Sequence, residues 1–380
     1  MLHIPDELTF LTHKSGNFHF FTICDADSIL PLLIEARTTY TVLTNIPFMP
    51  NIAAQLKPEL IRRSIFGTAA IEGNPLEESD VDNIINDASV RETSQVNKSE
   101  QEIINLKVLY ERLLEIKVLD PTLSEDQIKG IHSLITDKID YGDNVPGNYR
   151  NIKVYVGNAD HGGTYTPPVI LKDIQELMVK YIEFINSDSM LKADPLLRAA
   201  CAHFYLAMIH PFRDGNGRTA RFVEAWLLNN SGYRLLAPLL SNYYYQNIDA
   251  YFSVFSETRK QKNMTPFFKF YLEACITSLK NFQSTMNIWL CRLIFSDYTS
   301  FLKKTHKISV RQEMLLDIML DDIKPISLSF LYEEAKYRAL YANVSQATAR
   351  RDLRKLFDLG LLEKKEDNYR LNFGLLMDKQ

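Results

Sequence analysis

The stretch that most constrains this chain runs from Asp194 to Asn229. Asp194 followed by Pro195 reads as a helix start, because the aspartate oxygen can accept a first-turn N–H and proline gives up no helical bond at that place. The apolar residues that follow predict a helix to about Ile209. A polar, glycine-containing break, His210-Pro211-Phe212-Arg213-Asp214-Gly215-Asn216-Gly217-Arg218, interrupts it, and helix resumes from about Asn216 to Asn229. Whatever else the chain does, it sets a short loop dense in reactive side chains between two helices.

The rest of the pattern is dominated by helix. From about Asp27 to Ile116 apolar residues recur at three- and four-residue spacing, and Pro47, Pro50, Pro58 and Pro75 are read as the breaks between helices. Ile152, Val154 and Val156 alternate with Asn151, Lys153 and Tyr155, then turn residues from Gly157 to Gly163 lead to Thr164-Tyr165, which predicts a β-hairpin. Pro167-Pro168 end it and a helix follows to about Ile185. The tail gives a helix over Val310 to Leu320, a second after Ser327, a third from Ser345 to Leu359, and then Gly360 leading into a short ribbon that ends at Tyr369-Arg370-Leu371. Three helices and a ribbon is the order of a winged helix-turn-helix. A helical linker through Trp289 to Leu302 joins it to the core.

Composition excludes several classes. A net charge of −4 gives no global attraction to nucleic acid or anionic lipid, so such binding would need a local patch. Cys24, Cys201, Cys275 and Cys291 are scattered without ligand spacing, which argues against a structural zinc site and for a reducing compartment. Met1–Asp6 lacks the form of a secretory leader, and nowhere do enough apolar residues run together to span a bilayer. These points predict a cytoplasmic protein with no membrane partner. At 380 residues, two or three domains are expected.

The central loop has the parts of a phosphate site. Asp214-Gly215-Asn216-Gly217 at a helix start offers backbone N–H groups, the positive end of the helix dipole, and glycines that let an anion come close. Arg218 and Arg221, three residues apart, share a helix face on which two guanidinium groups can clamp further oxygens. Asp214 is the only carboxylate inside the loop and the natural Mg²⁺ ligand beside a polyphosphate. His210, with an ordinary pKa near 6.5, can take a proton from an alcohol at neutral pH. Singly each feature is commonplace; a base, a carboxylate, a glycine-rich helix start and two arginines together are not.

His210 through Arg218 resembles the Fic family motif HPFx[D/E]GN[G/K]R at every fixed position. The resemblance implies a helical core with a β-hairpin flap, His210 as general base, Asp214 as Mg²⁺ ligand, and Gly215, Asn216 and Gly217, with Arg218 and Arg221, as the nucleotide site. Phe212 would point into the core. It implies an enzyme that moves AMP from ATP to a Ser, Thr or Tyr hydroxyl of a protein. Gly147-Asn148-Tyr149-Arg150, Val154-Tyr155-Val156 and Thr164-Tyr165 resemble the Fic flap, an edge against which a target segment can pair. Thr68-Ala69-Ala70-Ile71-Glu72-Gly73-Asn74 matches the [S/T]xxxE[G/N] signature of Fic inhibitory helices. Glu72 paired to Arg221, with Thr68 beside it, would take the guanidinium that the γ-phosphate needs.

The expected fold is therefore mainly α: residues 1–105 an N-terminal helical region with the inhibitory helix at about 62–74, 106–280 the Fic core, 281–306 a helical linker, and 307–380 the winged helix. Arg350, Arg351, Arg354 and Lys355 on the third tail helix are the candidate contacts to DNA, though from Ser345 to Arg370 seven basic residues face five acidic ones. Alternatives to the transferase stay open: a DNA-binding regulator whose core senses nucleotide, or a Fic enzyme that removes AMP. The sequence is compatible with a homodimer, in which inhibition could act between subunits.

Overall fold

Side-chain caps mark where six of the described helices begin, and the burial of their apolar faces decides how they pack. The computed structural model describes residues 8–46, 50–86, 96–116, 120–140, 142 and 144–376. Met1–Asp6, read for a leader, and Pro47, read as a helix break, lie outside the described residues. The chain divides into two units, Met1–Asn281 and Phe282–Gln380.

The first unit opens with an antiparallel pair of strands, β1 (Leu8–Leu11) and β2 (Asn17–Phe20). These strands are too short to leave a periodic signal in the sequence. Five helices follow: α1 (Ala26–Thr44), α2 (Pro50–Ile71), α3 (Glu78–Asn86), α4 (Lys98–Glu115) and α5 (Glu125–Ile135). Capping boxes start α4, where Asn97 and Glu100 exchange side-chain and backbone bonds, and α5, where Ser124 and Gln127 do the same. After a long connection come α6 (Leu171–Ile185), α7 (Asp188–Lys192), α8 (Pro195–Ile209), α9 (Asn216–Asn230), α10 (Leu240–Gln246), α11 (Ile248–Gln261) and α12 (Thr265–Lys304). Asp194 caps α8 through a 2.9 Å bond from the Leu196 N–H, with Pro195 in the first turn.

α8 and α9 are the centre of this unit. They pack on each other, with α6 against α8 and with α2, α4 and α5 against α9. Leu196, Ala199, Phe204, Leu206 and Ile209 of α8 and Ala220, Val223 and Leu228 of α9 are all within 1% of full burial. Each large side chain among them contributes about 1.5–3 kcal/mol on leaving water. The loop 210–215 is thus held between the two most enclosed helices of the unit, which is what fixes its shape.

Pro58 does not break a helix as its type suggested; it lies inside α2. Proline in a helix interior forfeits one backbone bond and is disfavoured by about 3 kcal/mol in isolation. Here tertiary packing wins, because Ser64, Ile65, Thr68 and Ala69 on the following turns are buried and α2 lies against α10 and α4. Pro50 and Pro75 do fall at helix boundaries.

In the second unit, α12 continues to Lys304 and is followed by α13 (Val310–Asp321), α14 (Phe330–Glu333), α15 (Ala335–Tyr341), α16 (Gln346–Asp358), β3 (Leu362–Lys365) and β4 (Asn368–Leu371). β3 and β4 are antiparallel, and Ile326 bridges to Tyr369 beside them. Leu315, Leu316, Leu331, Tyr341, Leu353, Leu356 and Leu361 form the core. Asp352 is buried in it and accepts bonds from Arg311 Nε and Gln312 Nε2, each at 2.8 Å.

The approach of α2 to α10 generates a test. A Cβ at Gly67 would lie 2.8 Å from the Ser241 carbonyl oxygen and 2.9 Å from the Asn242 Cα. Both are backbone atoms, so the helices themselves must separate. Gly67→Ala is expected to destabilise the protein by about 1–3 kcal/mol, outweighing the roughly 0.5–1 kcal/mol that alanine gains over glycine in a helix. Calorimetry should show a melting temperature several degrees lower; an unchanged or raised value would mean that the two helices do not pack this closely.

Candidate active site

The residues of the central loop are held by their neighbours' main-chain and side-chain bonds. His210 ends α8 in the left-handed region, φ 51° and ψ 58°, a conformation that a non-glycine residue keeps only when its surroundings impose it. The imposing residue is Arg150, 4% exposed. Its Nε donates to the His210 carbonyl at 2.8 Å, its other nitrogens to the carbonyls of Ile152 at 2.6 Å and Pro168 at 2.7 Å, and its own N–H to Pro211 at 2.9 Å. One guanidinium therefore ties the loop to both ends of the 152–168 segment.

A second support is His132 of α5, fully buried and stacked on Phe212 with ring centroids 3.7 Å apart. Its Nδ1 accepts the Gly147 N–H at 2.9 Å, which leaves the proton on Nε2 to donate to the Asp214 carbonyl at 3.0 Å. Burial pushes this imidazole down to about 4, so it stays neutral. Phe212 itself is 0% exposed. The Asn216 side chain exchanges two 2.9 Å bonds with the Phe212 backbone, so toward an anion it offers its main-chain N–H rather than its amide.

The two arginines of α9 share a face, as their spacing predicts, yet each already meets a carboxylate. Arg218, 2% exposed, contacts Glu102 at 3.2 Å and Asp214 at 3.4 Å. Arg221 Nε donates to Thr68 Oγ1 at 2.8 Å, and its NH2 to the Thr68 carbonyl at 3.1 Å and to Glu72 Oε1 at 2.7 Å. Glu72 lies one residue past the end of α2. Gly73, φ 82°, follows it, with its N–H on the Ala70 carbonyl and the Asn74 N–H on that of Ala69, the paired bonds of a Schellman turn. The glycine after Glu72 is thus there because the chain needs a left-handed residue to turn, and the turn aims Glu72. On the other side Gly217 makes room for it: a Cβ at 217 would lie 2.1 Å from Glu72 Oε1.

His210 and Arg221 both border a pocket of about 330 Å³. Its wall includes Glu72 and Gly217, Val156 and Tyr165 from the connection between α5 and α6, and Tyr251, Phe252 and Phe255 from α11. An aromatic, largely apolar wall opposite a cationic, glycine-lined end suits a nucleotide. Desolvation, with Arg150 second, pushes His210 down to about 4; the Ala207 carbonyl and the Glu72 charge pull less strongly the other way. The ring is neutral at pH 7 and able to accept a proton. Glu72 is held below the usual carboxylate range: burial raises it, but Arg221 and Arg218 outweigh burial.

Asp214 suits a cation that brings its own phosphate oxygens. Its side chain is 43% exposed, and its bonds to the Gly215 N–H and to Arg218 both fall on Oδ1. Magnesium is often held by one or two carboxylates plus phosphate and water. No cluster of three acidic, histidine or cysteine ligands occurs among the described residues.

The predicted hairpin is not a ladder. Val156 and Tyr165 form one antiparallel bridge, with N–H to carbonyl distances of 2.9 and 2.7 Å, and no strand extends from it. The alternation is real, since Ile152, Val154 and Val156 are half-buried while Lys153, Tyr155 and Thr164 are exposed. It records an extended segment lying on the protein. The turn 157–163 is drawn onto α11, where the Gly162 carbonyl accepts from Ser256 Oγ at 3.0 Å and Lys260 Nζ at 2.7 Å. Sequence reading missed His132, Glu102 and the α11 aromatics, whose contacts come from distant helices.

The ionisation of His210 is directly measurable. By NMR its imidazole is expected to titrate near pH 4, and Glu72→Gln should move the midpoint further down, because it removes the negative charge that favours the imidazolium. A midpoint near the ordinary value of about 6.5 would show that the ring is not desolvated.

The sequence matches the Fic/DOC family over residues 122–228, from the approach to α5 into α9. The protein adenylyltransferase fic-1 of Caenorhabditis elegans is 31% identical over 170 residues, 44% of this chain and 32% of that protein. The protein adenylyltransferase Fic of Drosophila grimshawi is 28% identical over 178 residues, 47% of this chain and 35% of that one. The chain spans about a third of the length of these curated relatives. Among solved structures, a Fic family protein from Desulfovibrio desulfuricans G20 superposes with a TM-score of 0.59 at 21% identity, over 93% of this chain and 97% of the other. Fic-1 of C. elegans gives 0.55 at 21% identity, over 68% and 72%. At such identity the likeness is one of fold. With the motif loop, its two helices and these relatives taken together, residues 122–228 are a Fic/DOC-family domain.

Proposed function

We propose that this protein is a protein adenylyltransferase, transferring AMP from ATP to a Ser, Thr or Tyr hydroxyl of a target protein or of itself, and that it holds itself inactive through Glu72. The observation that carries the reading is a neutral His210 beside a glycine-lined helix start whose arginine is occupied by a carboxylate of the same chain. The names of the relatives support it.

In this mechanism the triphosphate lies along the first turn of α9, with the Gly215, Asn216 and Gly217 N–H groups and the helix dipole facing it. His210 Nε2 or Nδ1 takes the proton of the acceptor hydroxyl. The oxygen attacks the α-phosphorus in line, a phosphodiester forms, the bond to the bridging oxygen breaks, and pyrophosphate leaves. Asp214 would hold Mg²⁺, which when bound neutralises charge on the departing pyrophosphate. Arg221 takes the γ-phosphate, and Arg218 supports the loop through Asp214. The reaction is positioning and electrostatics, with no covalent intermediate on the protein. A target segment can add along Lys153–Tyr155, whose backbone joins no other segment by hydrogen bonds among the described residues, next to the Val156–Tyr165 bridge and close to His210. Tyr155 and Thr164 are exposed on the same segment, and Val154 is half-buried.

Inhibition follows from the Glu72–Arg221 bond. With Glu72 in place, Arg221 is unavailable, and the carboxylate repels the phosphates, so ATP is left misaligned with His210. Transfer of label from ATP carrying it at the α- or at the γ-phosphate, onto the protein and onto a lysate, tests the whole reading. Glu72→Gly should raise α-label transfer by about tenfold or more, as loss of a charged pair implies, and adding His210→Ala should remove it by roughly 10²–10⁴-fold. Label from the γ-position, or none from either with ATP still bound, would overturn it; loss of AMP from a labelled target would point to removal instead.

We propose a second activity, DNA binding, for the tail. Its helices and ribbon have the order of a winged helix, and we read α16 as its recognition helix. Arg350, Arg351, Arg354 and Lys355 are exposed on α16, whereas Asp352 between them is buried and paired with Arg311. The face is therefore more basic than its residue count suggests. Fluorescence anisotropy of the full chain with a duplex of about 24 base pairs should show binding that weakens steeply between about 50 and 200 mM salt and is lost in Arg350→Glu/Arg351→Glu. Absence of binding at the lower salt, or binding untouched by the double change, would leave the tail a protein-contacting unit.

A further inference from the structure

Of the four side-chain hydrogen bonds that Arg221 makes among the described residues, three go to the segment that carries Glu72: two to Thr68 and one to Glu72 itself. The fourth runs from NH1 to the Tyr251 hydroxyl at 3.3 Å. When the inhibitory segment lets go, Tyr251 is the contact that stays. A guanidinium on a long side chain without it would swing free and lose aim at an incoming phosphate.

Behind Tyr251 lies a buried polar chain that the reaction itself does not use. The Tyr251 hydroxyl meets His203 Nε2 at 2.9 Å, His203 Nδ1 is hydrogen-bonded to Glu224 Oε2, and the Tyr244 hydroxyl reaches both Glu224 oxygens at 3.1 and 3.0 Å. His203, Glu224 and Tyr251 are 0%, 2% and 3% exposed. With His203 neutral and Glu224 ionised, the protons take one order. Arg221 can only donate, so the Tyr251 oxygen accepts from it and gives its own proton to His203 Nε2; His203 then donates from Nδ1 to the Glu224 carboxylate. Burial pushes Tyr251 up to about 12, so it keeps the proton it must donate. Its ring stacks on that of Tyr244 with centroids 4.9 Å apart, which fixes where the hydroxyl points. A carboxylate buried among aromatics is disfavoured unless bonded, and apolar residues would fill the same space more stably. Its presence three residues along α9 from Arg221 has a use if it faces that arginine's charge from behind.

We infer that Tyr251, His203 and Glu224 form a positioning relay that keeps Arg221 aimed into the pocket after Glu72 has released it, so that one arginine is held in turn by the inhibitory carboxylate and by the γ-phosphate. The inference rests on the reading of this pocket as the ATP site. These are positioning residues: His203 and Glu224 do not line the pocket; Tyr251 does, while its hydroxyl, the group removed in Tyr251→Phe, acts through Arg221.

The test is binding of Mg²⁺-ATP and of AMP, by titration calorimetry, to Glu72→Gly and to the same protein carrying Tyr251→Phe or Glu224→Gln. Phe keeps the stacked ring and Gln keeps the shape, so both variants retain the packing, which thermal melts verify. Tyr251→Phe should weaken ATP about tenfold, the loss of one bond to a charged group, and leave AMP unchanged, because AMP has no γ-phosphate. Glu224→Gln should weaken ATP less, also without touching AMP. Equal weakening of both nucleotides, or none of either, would overturn the relay while leaving the transferase reading intact. If Glu72→Gly alone binds ATP no better than AMP, Arg221 does not serve the γ-phosphate, and the nucleotide reading and the relay fall together.

Discussion

The structure is organised around one buried cation. Arg221 is itself buried on one of the two most enclosed helices of the first unit, and a guanidinium there is tolerable only if negative charge and hydrogen-bond acceptors surround it. They do, from two directions: Thr68 of α2 with Glu72 of the turn after it, and Tyr251 from α11. Elements far apart in sequence are thereby committed to meeting at one point. The Schellman turn at Gly73 and the missing side chain at Gly217 are local consequences, since Glu72 reaches Arg221 only with both.

The loop beside it depends on a different kind of support. His210 in the left-handed region, the Asp214 carbonyl and the Pro211 carbonyl are all gripped through the main chain, by Arg150, His132 and the Arg150 N–H. None of these bonds uses the side chain of His210 or Asp214, which is what the proposed polyphosphate site requires. The same Arg150 holds the Ile152 and Pro168 carbonyls, so the 152–168 segment and His210 are positioned by one residue. That coupling, more than strand pairing, gives the segment its place, and explains how a single Val156–Tyr165 bridge suffices.

What could be read from sequence were the features written locally. Asp194-Pro195 announced α8 and the motif announced its loop, because caps and glycines act within a few residues; the 152–156 alternation predicts a hairpin, whereas it marks an extended segment that, among the described residues, pairs only at Val156 and Tyr165. Features set by partners across the fold were not legible. Pro58 read as a break because propensity knows nothing of the packing on α10 and α4. The role of His132 is not visible in the sequence, and Arg150 reads only as part of the flap motif; their partners are main-chain groups, which every residue has and no residue type reveals. The sharing of Arg218 with Glu102 belongs to the same class.

In the proposed function, inhibition does not require a strong bond. Glu72 is 28% exposed at its side chain, so water weakens its pairing with Arg221, and such pairs are worth little when screened. Its advantage is tethering. The turn after α2 holds the carboxylate within 2.7 Å of its partner, whereas a triphosphate must arrive from solution, and a tethered group of short reach acts at an effective concentration of roughly millimolar or above. ATP can therefore enter the pocket and still lose the contest for one guanidinium, which leaves it bound but misaligned. The strength of the switch then depends on the stiffness of the Glu72–Asn74 turn, and Asn74 stiffens it further, donating to Glu102 at 2.8 Å while Glu102 holds Arg218. A signal that loosened this turn would free Arg221.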